Sequence, residues 1–310
     1  MRMMAKLPSP TIRRRIRAAS PAIGIGLLLG GCQPSILDSK GPIGAAENNI
    51  LLIATVIMLA IIVPTMIATV IFAWWYRESN PKARYRPDWA FSGRIELVVW
   101  SIPLLTIIFL GGIAWIGAHD LDPAVPIRSD KKPIQVQVVS LDWKWLFIYP
   151  EQRVAVVNQL VVPVDTPIQF HLTSSSVWNS FFVPGLGSMI YTMRGMVTRL
   201  NLLADREGDH LGLSTHFSGD GFSDMNFTMK SVSPAGFDAW VASARDAGSS
   251  LDKAAYGALA QQSIADRPRT FGDIDPELFQ GIVDQTVPPG PGPTEKADGA
   301  PPNVRPKGGS

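Results

Sequence analysis

Two stretches of this chain are both predominantly apolar and free of Asp, Glu, Lys and Arg over more than 20 residues: those between Glu47 and Arg77, and between Glu96 and Asp120. Each is longer than the roughly 20 apolar residues that carry a helix across the hydrocarbon of a bilayer. The first, NNILLIATVIMLAIIVPTMIATVIFAWWY, is apolar on every face. A surface helix of a soluble domain would show a polar stripe, and a globular core rarely hides so long a helix completely. The pattern predicts transmembrane helices at 48–76 and 95–118. Pro64 should kink the first without abolishing it, and Trp74, Trp75 and Tyr76 close it as an interfacial belt.

The connection at 77–94 holds Arg77, Lys82, Arg84, Arg86 and Arg94 against only Glu78 and Asp88. The positive-inside rule makes it a cytoplasmic loop, so both flanking segments lie outside the cytoplasm and the helices form an antiparallel hairpin. Basic charge is local: over 310 residues the net charge is +2, which gives no bulk attraction to nucleic acid.

Ahead of the hairpin, residues 1–31 read as a secretion signal: a basic region ending at Arg17, a short apolar run from Ala22 to Leu29, then Gly-Gly-Cys. The end, Leu-Gly-Gly-Cys, resembles the bacterial lipobox, which implies cleavage before Cys32 and lipidation of that residue. An uncleaved hydrophobic segment with a buried thiol is the alternative. Cys32 is the only cysteine, so no intrachain disulfide exists. Residues 32–47 then form an exported N-terminal segment.

From 132 to 232 short alternating runs such as IQVQVVSL recur between Pro, Gly, Asp and Ser, as in an all-β sandwich or barrel. At 233–285 the pattern becomes helical, with helices expected in SPAGFDAWVASARDAG, from Leu251 to Ile264, and around DPELFQGIVDQ. From Thr286 to the end, 12 of the last 25 residues are Pro or Gly, the composition of a disordered tail.

Three local stretches carry a family resemblance: RIELVVWSIPLL from Arg94, LDWKWLFIYP from Leu141, and SSSVWNSFFVPGLGSMIYTMRGMVTRL from Ser174. With the order lipobox, helix hairpin, exported β-domain, the chain resembles subunit II of the haem-copper respiratory oxidases from about Cys32 to Asp284. The resemblance implies a cupredoxin-like sandwich. It also supplies positions for the dinuclear copper centre of the cytochrome c oxidases, built from two bridging cysteines, two histidines, a methionine and a backbone carbonyl. In this sequence the first histidine position is Asn179. In LSTHFSGDGFSDM the cysteine positions are Ser214 and Ser218, the carbonyl donor is His216, the second histidine is Phe222, and the methionine is Met225.

Thiolates suit that centre because they are soft and ionise near a pKa of about 8.5, whereas a serine hydroxyl stays protonated and a phenyl ring donates nothing. The expectation is a loop that keeps its shape and holds no metal. This departure is the pattern of the quinol oxidase branch, so the resemblance is to subunit II of cytochrome o-type ubiquinol oxidases. It implies an accessory, non-catalytic subunit without cofactors of its own. Haems, copper and ubiquinol oxidation would belong to partner subunit I, with subunits III and IV completing a proton-pumping complex in the bacterial inner membrane. Glu96, at the start of the second span, resembles a glutamate at the entrance of a proton channel; the plain alternative is a carboxylate favoured by the helix dipole and by nearby Arg94. Trp143, Trp145, Phe147 and Tyr149 read as core and subunit-interface packing. A periplasmic copper-binding or oxidase-assembly lipoprotein, using His171, His210 and His216 with Met225, is the rival reading.

Overall fold

The computed structural model describes residues 36–84 and 86–292. The signal peptide, Cys32 and residues 293–310 of the tail lie outside the described residues.

Helices α1 (Pro42–Trp75) and α2 (Gly93–Asp120) form the hairpin. Their most apolar windows reach mean hydropathies of 2.8 and 2.3 with none of those residues buried inside the chain, so both are long and apolar enough to cross a membrane. Pro64 is accommodated within α1. The Thr65 hydroxyl beside it donates to the Ile61 carbonyl at 2.8 Å, and Thr55 and Thr69 make the same bond one turn back. A Cβ on Gly117 of α2 would lie 2.7 Å from Ile50 Cδ1, so a small residue sets how closely the helices approach.

The first helix begins at Pro42, six residues before the expected start at 48. Proline at the first helical position costs nothing because that N–H has no helical partner, and the early turns are used to grip the β-domain. At 34 residues α1 is about 51 Å long, well beyond a hydrocarbon core of about 30 Å. Its protruding end packs on the loop 184–187. Gly44 N donates to Leu186 O at 2.9 Å and Lys40 N to Gly185 O at 2.6 Å. A Cβ on Gly44 would already meet the Leu186 backbone at 3.1 Å. The second helix likewise extends beyond 95–118 at both ends.

Ten strands follow: β1 (Ile134–Leu141), β2 (Lys144–Tyr149), β3 (Val154–Val157), β4 (Gln159–Pro163), β5 (Ile168–Ser174), β6 (Asn179–Val183), β7 (Gly187–Thr192), β8 (Thr198–Leu202), β9 (Gly208–Ser214) and β10 (Asn226–Val232). The C-terminal region adds α3 (Pro234–Arg245), β11 (Ser250–Leu251), α4 (Lys253–Leu259), β12 (Arg269–Phe271), β13 (Asp273–Ile274) and α5 (Leu278–Val283). One sheet has the order β12-β3-β2-β1-β5-β8 and faces a second, β4-β10-β9-β6-β7. The result is the expected sandwich. Between the sheets Trp145, Phe147, Phe181 and Phe227 pack at ring separations of 5.0 to 6.4 Å, mostly edge-on or tilted. Such pairs add about 0.5–1.5 kcal/mol each beyond their buried area.

Strands β2 and β3 are buried at every position, not at alternate ones. The cause lies at the C-terminus. Val139, Leu141, Leu146, Ile148, Ala155 and Val157 point away from the inter-sheet core and are covered by Leu251, Tyr256, Leu259, Leu278 and Phe279. The region 233–285 is therefore an arm that clothes the outer face of the first sheet. It is not purely helical: β12 joins the sheet beside β3, and β11 pairs with β13. Its second helix ends at Leu259, short of the expected Ile264.

Residues 286–292 also depart from expectation. Instead of starting a disordered tail they lie along the sandwich, with Val287 buried. Gly290 N donates to Ser175 Oγ at 2.9 Å and Gly292 N to Asp142 Oδ2 at 2.8 Å. Pro and Gly set no helix or strand there, yet their backbone donors find fixed acceptors. Tyr256 donates to the same Ser175 Oγ at 2.8 Å. Burial, and secondarily the Asp142 carboxylate, push the Tyr256 phenol up to about 12, with the Ser175 bond opposing them. It stays a donor throughout the physiological range.

Candidate functional site

The segment between β9 and β10 crosses one end of the sandwich and contains a single 3-10 turn, Phe222–Asp224. Strand pairing brings its ends beside Asn179: β6 runs antiparallel to β9 with Phe181 opposite Ser214. Four of the six predicted positions, Asn179, Ser214, Ser218 and Met225, are buried at this place. Ser214 Oγ lies 3.3 Å from Asn179 Oδ1 and 3.4 Å from His216 O. Ser218 Oγ donates to Met225 Sδ at 4.0 Å. The side chains of the other two positions turn elsewhere. The exposed His216 ring stands edge-on to Tyr191 at 5.8 Å, and the Phe222 ring meets exposed Phe217 at 5.6 Å.

Two further contacts hold the segment. Trp143 Nε1 donates to Ser218 O at 3.0 Å, and a Cβ on Gly221 would come within 2.4 Å of the Trp143 indole. Trp143 itself has φ +64°, a left-handed conformation that is rare for an aromatic residue and reverses the chain between β1 and β2. Together with Thr215 N, which donates to Ser180 Oγ at 2.7 Å, these contacts fix the loop by hydrogen bonds and packing. The donor set is one amide, two hydroxyls, one thioether and the His216 backbone carbonyl. It does not fit a thiolate-bridged copper pair, which needs soft anionic ligands.

The histidines are engaged separately. His171 Nε2 lies 3.0 Å from Gln135 Oε1, and His210 Nε2 lies 3.0 Å from Ser231 Oγ. Burial holds the His210 imidazole below its usual range, helped by the Lys40 and Arg206 cations and opposed by Asp209 and Asp205. Burial, with Arg199, does the same to His171.

Residues 129–232 match the family model described as cytochrome c oxidase subunit II, periplasmic domain, and residues 245–290 match the aromatic-rich motif found in such oxidases. The cytochrome bo(3) ubiquinol oxidase subunit 2 of Pseudomonas putida is 48% identical over 271 residues, covering 87% of this chain and 86% of the relative. The chain belongs to the ubiquinol oxidase subunit 2 family. The ubiquinol oxidase subunit 2 of Acetobacter aceti is also 48% identical, over 83% of this chain and 84% of that protein. Among solved structures, the periplasmic domain of subunit II of the Bradyrhizobium japonicum cytochrome oxidase aligns with 39% of this chain and 96% of its own length, at 20% identity and a TM-score of 0.36.

In this family member Glu96 sits in the first turn of α2, exposed, and among the described residues it forms no ion pair with Arg94. Trp143, Trp145, Phe147 and Tyr149 are at most 2% exposed, so the aromatic strand is core and offers no surface to another subunit.

Sequence reasoning missed Glu47. Its carboxylate accepts from Ser188 N at 3.0 and 3.1 Å and from Ser188 Oγ at 2.6 Å, joining α1 to β7. The signal was visible as the acid bounding the first charge-free run. Also missed was buried Lys144, whose Nζ donates to Gln261 O at 2.7 Å and to Ser263 Oγ, with Asp266 at 3.9 Å. A lysine between Trp143 and Trp145 in an apolar strand was its signal.

Proposed function

We propose that the chain is subunit II of a proton-pumping terminal ubiquinol oxidase of the bacterial inner membrane. In this reading it has no copper centre of its own and acts in the assembly and support of subunit I, beside subunits III and IV. The observation that carries the reading is the relict loop, where Asn179, Ser214 and Ser218 satisfy one another or their neighbours and, beside the His216 backbone carbonyl, only Met225 retains a side-chain ligand atom. Ubiquinol dissolves in the bilayer, so its electrons need no relay through an exported domain. The copper end of the sandwich is free to serve as packing.

The basic loop 77–94 supports a cytoplasmic position, which puts the sandwich in the periplasm with lipidated Cys32 at the mature N-terminus. Glu96 then lies on the cytoplasmic side, where an ionisable group at the start of a span is a candidate for proton entry into subunit I. Purification of the complex tests the proposal. It should carry haem, oxidise ubiquinol and accept no electrons from reduced cytochrome c, and deletion of this chain should deplete haem-bearing subunit I from membranes. Turnover with cytochrome c, or full subunit I content in the deletion, would reject it.

A further inference from the structure

The loop end of the helix hairpin forms a half-open pocket of about 1010 Å³. One wall is cationic, formed by Arg77, Arg84 and Arg86, against the single carboxylate of Glu78. Another is apolar, with Phe72, Trp89 and Ile95 each more than half exposed. We propose that this cavity binds an anionic phospholipid, its phosphate held by the guanidinium groups and an acyl chain lying on Phe72 and Ile95.

Three observations converge on a lipid. The first is height: the cavity lies where α1 ends at Trp75 and α2 begins at Gly93, the level of headgroups for a hairpin that spans the bilayer. The second is charge. Among the described residues Arg84 and Arg86 take part in no ion pair, and Arg77 is aimed by neutral partners. Arg77 Nη1 donates to Trp74 O at 2.7 Å, its Nε donates to Ser79 Oγ at 3.1 Å, and its guanidinium lies 4.8 Å from the Trp74 ring centre. A positioned cation without a counter-charge, at the end of a span, suits an anionic headgroup. The third is size and polarity. A free phosphate would leave the apolar wall and most of the volume unused, whereas a diester with its upper acyl carbons fills both. Basic pockets beside transmembrane helices bind anionic headgroups elsewhere by this combination.

The test uses the purified complex in detergent, with phosphatidylglycerol or phosphatidylcholine of equal acyl length added and bound lipids counted by native mass spectrometry. The wild type should retain one more phosphatidylglycerol than the double variant Arg84→Gln/Arg86→Gln. Each cation near an anionic surface is worth about fivefold in affinity, so the pair should weaken retention roughly 25-fold. Inorganic phosphate at millimolar concentration should not displace the lipid. Equal retention in both proteins, equal retention of phosphatidylcholine, or displacement by inorganic phosphate would each overturn the proposal. If the double variant does not assemble, the wild type decides alone, through its preference for phosphatidylglycerol and the loss of that preference in high salt. Haem content and quinol oxidase activity, measured on the same preparations, report separately on the enzymatic reading, so failure of one is distinguishable from failure of the other.

Discussion

Replacing Lys144 with Met should loosen the C-terminal arm without unfolding the sandwich. The Lys144 side chain is fully buried and Asp266 is 3% exposed. Deleting one partner of a buried ion pair costs about 3–5 kcal/mol, because the other charge is left uncompensated. Here Arg269 stays 2.9 Å from Asp266, although it is 43% exposed, so part of the compensation survives. The Gln261 carbonyl and Ser263 hydroxyl also lose their donor. We take the low end, about 3 kcal/mol, since methionine fills the lysine's volume and keeps the apolar contacts. That is an increase of roughly 150-fold in the population of the opened arm. Native-state proteolysis of the membrane complex reads this population directly when reclosing is faster than cleavage. Cutting between Lys253 and Gly292 should accelerate by about two orders of magnitude, with β1–β10 protected as before. Rates within threefold of wild type would refute the assignment of the pair as the clasp of the arm.

Stability should fall as pH drops below about 6.5. His210 is held neutral in the fold, mainly by burial, while in the unfolded chain it takes up a proton near the ordinary histidine value of 6.5. The folded state then binds fewer protons, stability is lost between that value and the depressed folded one, and nothing is lost above it. Thermal unfolding at pH 7.5 and 5.5 should show the drop, and His210→Gln should shrink it; an unchanged difference would remove His210 as its source. Glu96→Gln should leave haem content intact while slowing quinol oxidation per haem, and unchanged turnover would reduce Glu96 to a helix-end charge worth about 0.3–1 kcal/mol. Asn179→His, Ser214→Cys, Ser218→Cys and Phe222→His together should give thiolate-to-copper absorption on copper addition, since the first three sites already meet in one place. No absorption in the folded quadruple variant would mean that the loop has lost the geometry as well as the ligands.

The hairpin was legible because a bilayer imposes a length and a composition that little else imposes. Where α1 begins was not, since Pro42 to Glu47 are governed by tertiary contacts to Leu186 and Ser188 that no local pattern announces. The sandwich was legible from alternation and turn residues in β1, β5 and β10. Strands β2 and β3 hide their outer face under the arm, so their continuous apolar runs reported a second covering layer that periodicity could not name. The arm's short strands carry too few residues for a period, and residues 286–292 are ordered by single acceptors on Ser175 and Asp142. At the loop between β9 and β10 the identity of each residue was readable by resemblance. That Asn179, Ser214, Ser218, Met225 and the His216 carbonyl converge while the His216 and Phe222 rings turn away required the fold.

The most direct test is spectroscopic. The wild-type complex, purified from cells grown with excess copper, should oxidise ubiquinol and give no near-infrared absorption or electron paramagnetic resonance signal of a mixed-valence copper pair. A signal of that kind that disappears in Met225→Leu would place a dinuclear centre in this chain and contradict the account.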